Sequence, residues 1–240
     1  MSERASVCEP RRVYAIGDIH GRMDLLEVMI GAIGRDLEAY PAASSLTLTL
    51  GDYIDRGPQS REVVERLSQN PFANAFLALK GNHETLLQGF LDEPSSATYW
   101  RRLGGLETLS SYGIEVGSLM RGKEAGKAAE TLRRRLPKTH LDFFAGLSLS
   151  FSLGPYFFCH AGVRPGVPLA RQSEEDLLWI REEFLLSSED FGKIIVHGHS
   201  PREEPEVLPN RINVDTGAFI TGRLTCAVLE GRRVRFLTAR

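Results

Sequence analysis

Residues 13–21 read VYAIGDIHG, an apolar segment that runs directly into a cluster of polar residues and glycines. Val13 to Ile16 predicts a buried β-strand, and the cluster Gly17–Gly21 follows at the end of that strand. From Met23 to Leu37 the apolar residues recur at helical spacing, which predicts an α-helix. The chain therefore begins with a strand, a polar turn and a helix.

The same order of strand and helix recurs twice after the first helix. Strands are predicted at Leu46–Leu50 and Ala75–Leu79. Helices are predicted at Arg61–Leu67, with Ser60 as its N-cap, and at Glu84–Leu91. A β-α-β-α-β-α order indicates a largely parallel sheet covered by helices.

The remaining residues add strands but no further βα repeat. Residues 92–138 show no strand pattern and predict short helices and loops over the core, and a helix is predicted at Asp176–Leu186. The predicted strands are Phe143–Leu153, Tyr156–Cys159, Ile194–Val196, Arg211–Val214, Leu224–Leu229 and Val234–Leu237, with a turn at Glu230-Gly231. We therefore expect an α/β fold of two packed mixed β-sheets flanked by helices, formed by one domain over residues 1–240.

Charge and composition exclude several classes of protein. Lys and Arg number 29 against 31 Asp and Glu, a formal net charge of −2, so no nucleic-acid partner is expected. No apolar run of about 18 residues occurs, so no membrane partner is expected. Residues 1–12 are unlike a signal peptide, and Cys8, Cys159 and Cys226 are scattered. These features predict a cytoplasmic protein without disulfides.

Polar clusters follow five of the predicted strands. Ligands bind beyond the carboxyl ends of strands in open α/β sheets, so we expect the five clusters to converge on one crevice. The clusters are Gly17–Gly21 (GDIHG), Gly51–Gly57 (GDYIDRG), Gly81–Glu84 (GNHE), Cys159–Gly162 (CHAG) and His197–Ser200 (HGHS).

The clusters together offer oxygen and nitrogen metal ligands without sulfur. The candidates are Asp18, His20, Asp52, Asn82, His160 and His199. Such a set suits Mn, Fe, Zn or Ni. Six ligands are too many for one metal with an open position, but they fit two metals that share one carboxylate. We expect two divalent metal ions, manganese first among these metals. His140 and His197 are interpreted as structural residues.

The motifs GDIHG, GDYIDRG and GNHE resemble the signature of the PPP-type serine/threonine phosphatases within the calcineurin-like metallophosphoesterase superfamily. The short chain, with its His160-Ala161-Gly162 and His199-Ser200-Pro201 elements, is most similar to the compact bacterial and phage branch. The resemblance covers about residues 13 to 220. It implies the four-layer α-β-β-α metallophosphoesterase fold.

The resemblance also implies how the candidate ligands are divided between the two metals. Asp18 and His20 are similar to the ligands of the first metal, and Asp52 to the bridging ligand. The ligands of the second metal would be Asn82, His160 and His199.

The residues around the metals have implied roles in hydrolysis. A hydroxide that bridges the two metals would attack phosphorus, and His83 resembles the general acid that gives a proton to the leaving alkoxide. Asp55 is similar to the carboxylate that orients His83. Arg56 and Arg181 resemble phosphate-binding arginines, and Asn82 is also expected to contact the substrate.

These roles predict a protein serine/threonine phosphatase, with phosphotyrosine also open as a substrate. The first alternative is a hydrolase of dinucleoside polyphosphates of the Ap4A type, acting on a small phosphorylated substrate. In that branch the second motif commonly lacks the Asp of Asp55-Arg56-Gly57, and the third commonly ends in Asp. This chain has the phosphatase form at both places, since Glu84 ends its third motif.

A second alternative is a non-catalytic scaffold that binds phosphorylated partners. A degenerate member of this kind should have lost metal ligands or the acid, yet the ligand set and His83 are all present. Regulatory subunits of the eukaryotic type are not expected, because Val214–Ala218 stands where those enzymes carry a tyrosine-containing loop.

Overall fold

Two five-stranded β-sheets form the centre of the computed structural model, which describes residues 12–240. The strands are β1 (Arg12–Ile16), β2 (Ser45–Thr49), β3 (Ala75–Ala78), β4 (Ser150–Leu153), β5 (Tyr156–Cys159), β6 (Ile194–His197), β7 (Glu206–Val207), β8 (Arg211–Asn213), β9 (Leu224–Glu230) and β10 (Arg233–Ala239). The first sheet has the order β10-β9-β1-β2-β3, and the second has the order β4-β5-β6-β8-β7.

Both sheets are mixed, as predicted. In the first sheet β1, β2 and β3 are parallel, and β9 and β10 continue it antiparallel. In the second sheet β5, β6 and β8 are parallel, with antiparallel β4 and β7 at the edges. Three parallel strands in each sheet bring their carboxyl ends to one edge, where the polar clusters follow them.

Helices cover the sheets. They are α1 (Met23–Ala39), α2 (Ser60–Ser68), α3 (Asn82–Asp92), α4 (Ala97–Trp100), α5 (Gly105–Ser111), α6 (Gly117–Met120), α7 (Ala125–Arg135), α8 (Lys138–Ala145), α9 (Glu174–Trp179), α10 (Glu182–Leu185) and α11 (Ala218–Thr221). Short 3₁₀ turns occur at Pro94–Ser96, Arg101–Leu103 and Leu169–Arg171. No helix within residues 12–240 has the length and apolar character needed to span a membrane.

Side-chain alternation along β1 shows how the layers pack. Val13 and Ala15 join a core cluster that also contains residues of the second sheet, such as Phe158 and Val196. Tyr14 lies on the opposite face and packs in the cluster formed with the helices. Successive residues of a strand point to opposite faces, so one strand serves two cores. The two sheets therefore pack together with helices outside, as the sequence predicts.

The segment 92–138 contains helices and turns and no strand, as predicted. The adjacent prediction of a strand at Phe143–Leu153 is wrong in its first part. Residues 143–145 are the last residues of α8, and the strand β4 begins only at Ser150. The ring centroid of Phe143 lies 5.3 Å from that of Tyr53, so this half-buried apolar run packs against the core as part of a helix rather than through strand pairing.

Two other predicted helix features also differ from the structure. The predicted helix Asp176–Leu186 is divided into α9 and α10, because Arg181 has non-helical φ and ψ angles of −132° and −96°. Ser60 is the first residue of α2 and makes no N-cap bond. Its hydroxyl oxygen accepts the backbone N–H of Asp55 at 3.0 Å instead.

A buried carboxylate joins the first sheet to α1. Asp36 is 7% exposed and accepts hydrogen bonds from Tyr14 Oη and Arg235 Nη2, each at 2.6 Å. Arg12 Nη1 lies 3.7 Å away. Burial raises the pKa of Asp36, but the Arg235 and Tyr14 hydrogen bonds outweigh it and hold the pKa below its ordinary value. The ionised carboxylate therefore joins the helix to β1 and β10.

Replacement of Asp36 by Ala is expected to lower the free energy of unfolding by about 3 kcal/mol, because it leaves buried donors unpaired. Urea unfolding followed by circular dichroism measures this change. Glu38→Ala, an exposed carboxylate on the same helix, is the matched control and should change stability by about 0.5 kcal/mol or less. Equal effects of the two substitutions would contradict the prediction.

Candidate active site

The five polar clusters meet at the carboxyl ends of the parallel strands, as the sequence predicts. Asp18 and Asp52 follow β1 and β2 of the first sheet, whereas His160 and His199 follow β5 and β6 of the second. The backbone N–H of His199 lies 3.1 and 3.3 Å from the two carboxylate oxygens of Asp18. The site is therefore formed by both sheets.

The backbone at the site is left-handed at five non-glycine residues. Positive φ angles between 45° and 71° occur at His20, Asp52, Asp55, Arg56 and His199. Such conformations cost on the order of 1 kcal/mol or more each, and they persist where the surrounding structure holds them. These turns end the extended strand conformation at the clusters and direct their side chains into the site.

Two groups of candidate ligands share Asp52. His20, Asp52 and His83 form one group, and Asp52, His160 and His199 form the other, with ligand atoms within 4.8 Å of one another in each. Oδ2 of Asp52 lies 3.4 Å from Nε2 of His20 and 3.8 Å from Nε2 of His83. Oδ1 of Asp52 lies 3.4 Å from Nε2 of His160. Asp52 thus presents one oxygen to each group.

Asn82 completes the second group. Its Oδ1 lies 2.9 Å from Nε2 of His160 and 3.0 Å from Nδ1 of His199, and these two nitrogens are 3.1 Å apart. Nδ1 of His160 donates to the carbonyl oxygen of Leu50 at 2.9 Å, which leaves a lone pair on Nε2 in the neutral ring. A cation bound between these atoms would satisfy lone pairs that face one another.

Burial keeps the imidazoles of His20, His160 and His199 neutral. It lowers the pKa of His20 to about 3 and the pKa of His199 to about 2, and it lowers the pKa of His160 as well. Nε2 of His199 is buried and has no hydrogen-bond partner among residues 12–240. Neutral imidazole is the form that binds a metal ion, so the protonation states fit a metal site.

Asp18 lies outside both groups but has a second carboxylate beside it. Burial and the charge of Asp215 raise the pKa of Asp18 well above its ordinary value, and burial raises the pKa of Asp215 to about 6. Two buried carboxylates that repel each other are stabilised by a nearby cation. Asp215 was not among the predicted site residues, although its position two residues after the end of β8 is a signal that could have identified it.

His83 differs from the other imidazoles of the site. Its Nδ1 donates to Oδ2 of Asp55 at 2.6 Å, and its Nε2 lies 3.3 Å from Nη2 of Arg56. Burial lowers the pKa of His83, but Asp52 and Asp55 outweigh that effect, so the pKa lies above its ordinary value. Asp55 therefore orients a ring that can carry a proton beside the ligand groups.

The two arginines lie at different depths. Arg56 is half-buried, with its guanidinium carbon 4.5 Å from the ring centroid of Phe219. Arg181 is exposed at the break between α9 and α10, and its Nη1 lies 3.4 Å from Oγ of Ser200. Since Ser200 adjoins His199, both guanidinium groups border the site.

A cavity of about 590 Å³ lies beside Arg181. Trp179 lines it, and the Trp179 ring centroid is 6.3 Å from that of His199. Exposed carboxylates, those of Glu175, Glu182 and Glu183, also line the cavity. Arg164 and Arg181 line the cavity as well, so the surface next to the site combines one aromatic ring with charges of both signs, the carboxylates being more numerous.

Glu84 holds the second and third clusters together, a role that the sequence analysis did not assign. Its carboxylate accepts the backbone N–H groups of Asp52 at 3.0 Å, Tyr53 at 2.9 Å and Gly81 at 2.9 Å. The bond to Gly81 is half of a capping box at the start of α3, a spacing that could have indicated it. Glu84 thus fixes the turn that carries Asp52.

Two residues of the segment 92–138 also contact the site and were missed. Trp100 and Thr108 donate hydrogen bonds to the carboxylate of Asp55. No motif in that segment marked either residue. By contrast, His140 and His197 lie outside both ligand groups, as expected for structural residues.

Proteins of known name are similar to this chain in sequence. A family model described as calcineurin-like phosphoesterase matches residues 11–224. The asymmetrical bis(5'-nucleosyl)-tetraphosphatase PrpE of Anoxybacillus flavithermus is 26% identical over 232 residues, covering 88% of this chain and 87% of its own. Serine/threonine-protein phosphatase 2 of Escherichia coli is 26% identical over 222 residues, covering 90% and 91%.

A solved structure has the same fold. The cold-active protein-tyrosine phosphatase of a psychrophilic Shewanella species superposes with a TM-score of 0.62 at 17% identity, covering 96% of this chain and 81% of its own. This likeness bears on the fold alone.

Proposed function

The chain belongs to the calcineurin-like phosphoesterase family, and from that premise we propose that it removes phosphate from phosphoserine and phosphothreonine in proteins. The names of its relatives, a serine/threonine-protein phosphatase and a bis(5'-nucleosyl)-tetraphosphatase, have the hydrolysis of a bond to phosphorus in common. The specific substrate is our proposal, and the following features of the site support it.

The residues present fit two divalent metal ions, with manganese as the first expectation. Asp18 and His20 would hold one ion together with Asp52, which would also bind the other. Asn82, His160 and His199 would complete the second. When bound, the ions polarise the phosphoryl oxygens and lower the pKa of bound water.

The observation that carries the proposal is the hydrogen bond of 2.6 Å between His83 Nδ1 and Asp55 Oδ2. The alkoxide that leaves from phosphoserine or phosphothreonine is strongly basic and needs a proton as the P–O bond breaks. Asp55 holds Nδ1–H and supports the charged form of the ring, and in that form the proton on Nε2 would be the one that is transferred. A polyphosphate leaving group is far less basic and needs no such acid.

The arginines and the adjoining cavity also favour a phosphoprotein. Arg56 and Arg181 border the site and would bind non-bridging phosphate oxygens, with Asn82 as a further contact. Carboxylates outnumber arginines in the lining of the cavity, so its net negative charge would disfavour the additional phosphates of a dinucleotide. A peptide with a single phosphate lacks these additional phosphates, and phosphotyrosine would meet the same surface.

A second candidate function is hydrolysis of dinucleoside polyphosphates. The relative named PrpE favours it, because its identity to this chain equals that of the E. coli phosphatase, at 26%. The exposed part of Trp179 beside the site also offers a surface on which a nucleobase could stack.

Two substrates assayed in parallel distinguish the candidates. Metal-stripped protein, reloaded with Mn²⁺, is given a phosphothreonine peptide and diadenosine tetraphosphate, and released products are quantified. We expect the larger kcat/KM for the peptide. A larger value for the dinucleotide would transfer the function to the second candidate, and no turnover of either with any of several divalent ions would refute both.

Gly198 provides a test of the metal site that changes the identity of no ligand residue. A Cβ atom at Gly198 would lie 2.1 Å from Oδ1 of Asp18, so Gly198→Ala must displace that carboxylate. We expect Mn²⁺ affinity, measured by isothermal titration calorimetry, to fall about 10–100-fold, as for loss of an outer-shell contact. Gly126→Ala is the control, since that Cβ meets no atom within 4 Å. Unchanged affinity in Gly198→Ala would contradict the assignment of Asp18.

The cysteines bear on the compartment in which the protein works. We propose a cytoplasmic location without eukaryotic-type regulatory subunits, nucleic acid or membrane as partners. Cys159 and Cys226 are both free and buried, which supports a reducing compartment. Cys8 lies outside the described residues.

A further inference from the structure

The carboxylate of Asp55 accepts more hydrogen bonds than its pairing with His83 requires. Oδ2 accepts Nδ1–H of His83 at 2.6 Å and also Nε1–H of Trp100 at 2.7 Å. Oδ1 accepts the hydroxyl of Thr108 at 2.5 Å. Both additional donors come from the segment 92–138, which is remote in sequence from the clusters. That segment therefore determines how the Asp55 carboxylate is rotated.

Residues 100–108, called here the 100–108 turn, also hold the backbone of the second cluster. Oγ1 of Thr108 accepts the N–H of Asp55 at 2.9 Å, and the carbonyl oxygen of Gly104 accepts the N–H of Arg56 at 3.2 Å. A Cβ at Gly104 would lie 2.4 Å from the nitrogen of Arg56, so the two backbones are in close contact. Asp55 and Arg56 both have left-handed φ angles, which these contacts hold in place.

Because these groups are buried, bulk water cannot take the place of a lost hydrogen-bond donor. Asp55 and Thr108 are 0% exposed, and Trp100 and His83 are 1% exposed. If the Trp100 or Thr108 donor is lost, the carboxylate of Asp55 must turn to find another partner. Rotation of the carboxylate would move the hydrogen bond that sets the plane of the His83 ring. Small errors in the orientation of a catalytic group reduce rate strongly.

We propose that Trp100 and Thr108 are positioning residues for the Asp55–His83 pair, and that the 100–108 turn thereby sets how well a basic leaving group is expelled. The proposal rests on the assignment of His83 as the proton donor under the proposed function. It gives the segment 92–138 a role in the chemical step. A purely structural role predicts loss of folded protein without any dependence on the leaving group.

The variants Trp100→Phe and Thr108→Val each remove one donor and keep most of the buried volume. Their kcat values are compared on a phosphothreonine peptide, which has a basic leaving group, and on p-nitrophenyl phosphate, whose leaving group needs no proton. We expect kcat to fall about 10-fold on the peptide, a part of what general acid catalysis contributes, and about 2-fold or less on p-nitrophenyl phosphate. Assays run below the melting temperature of every variant.

Two further variants separate the hydrogen bond from the side-chain change itself. Thr108→Ser keeps the hydroxyl and should restore most of the rate on the peptide. Thr131→Val removes a hydroxyl from the same segment and should leave both rates unchanged, because within residues 12–240 that hydroxyl bonds only to the carbonyl oxygen of Lys127. Equal losses on the two substrates, or no loss on either, would overturn the proposal.

Crystal structures of the variants test the proposal independently of activity. We expect the contact between His83 Nδ1 and Asp55 Oδ2 to lengthen in Thr108→Val and to persist in Thr108→Ser. An unmoved His83 ring in both Thr108→Val and Trp100→Phe overturns the inference. Failure of the wild-type protein to cleave either phosphate ester would instead refute the proposed function, and the variant structures would still decide the positioning role.

Discussion

Replacement of Asp52 by Asn is expected to weaken the binding of both metal ions and to reduce kcat/KM on a phosphothreonine peptide by on the order of 10³-fold. Metal ions contribute several kcal/mol of transition-state stabilisation in phosphoryl transfer, which corresponds to a factor of this size. Asp52 presents one oxygen to each ligand group, so a single substitution affects both. Isothermal titration with Mn²⁺ and steady-state kinetics measure the two effects.

Asn suits this test because it retains the local structure. Asp52 has a φ angle of 52°, which Asn adopts more readily than most residues, and Asn Oδ1 can still accept the N–H of His83. Asp92→Asn, an exposed carboxylate at the end of α3, is the matched control and should change neither affinity nor rate. Loss of one ion with full retention of the other would contradict a shared role for Asp52.

Replacement of His83 by Asn should lower kcat on the phosphothreonine peptide by about 10²–10⁴-fold while leaving Mn²⁺ affinity nearly unchanged. That range is what a positioned general acid contributes. The rate on p-nitrophenyl phosphate should fall much less, because its leaving group departs without a proton. Kinetics on both substrates, with metal titration of the same preparation, separate loss of the acid from loss of the metals.

The same variant decides between an enzyme and a scaffold that binds phosphorylated partners. A scaffold would bind phosphopeptide equally well with Asn at position 83, and the wild-type protein would turn over no substrate. If His83→Asn instead loses Mn²⁺ affinity as strongly as Asp52→Asn, His83 is a ligand. Its position beside His20 and Asp52 would then reflect binding of the metal ion rather than the proposed role as proton donor.

Much of the fold could be predicted because the decisive residues carry local signals. Val13 to Ile16 is an apolar run followed by glycine and Asp18, and that order alone locates a strand end. Phe143 shows where a local apolar pattern is not sufficient to predict the secondary structure. A short apolar run is compatible with a strand or a buried helix, and only the contact with Tyr53, 90 residues away in sequence, decides which.

The residues of the site likewise differ in whether local sequence motifs are sufficient to predict them. His20, Asp52 and His83 could be predicted because each lies in a cluster that also contains the glycines of its turn. Trp100 and Thr108 could not, because an indole or a hydroxyl acquires its role only from the Asp55 oxygen it meets after folding. The supporting contacts of the site therefore depend on tertiary packing and cannot be predicted from the spacing of residues in the sequence.

The division of the site between the two sheets links metal binding to the stability of the folded protein and to its resistance to proteolysis. An ion bound by Asp52, which follows β2, and by His160, which follows β5, would require both sheets to be assembled, so it would favour the folded chain over the unfolded one. At a free ion concentration 100 times the Kd, this linkage would add about 2.7 kcal/mol to stability. The metal supply of the cell would then govern how long each molecule survives proteolysis, as well as how fast it works.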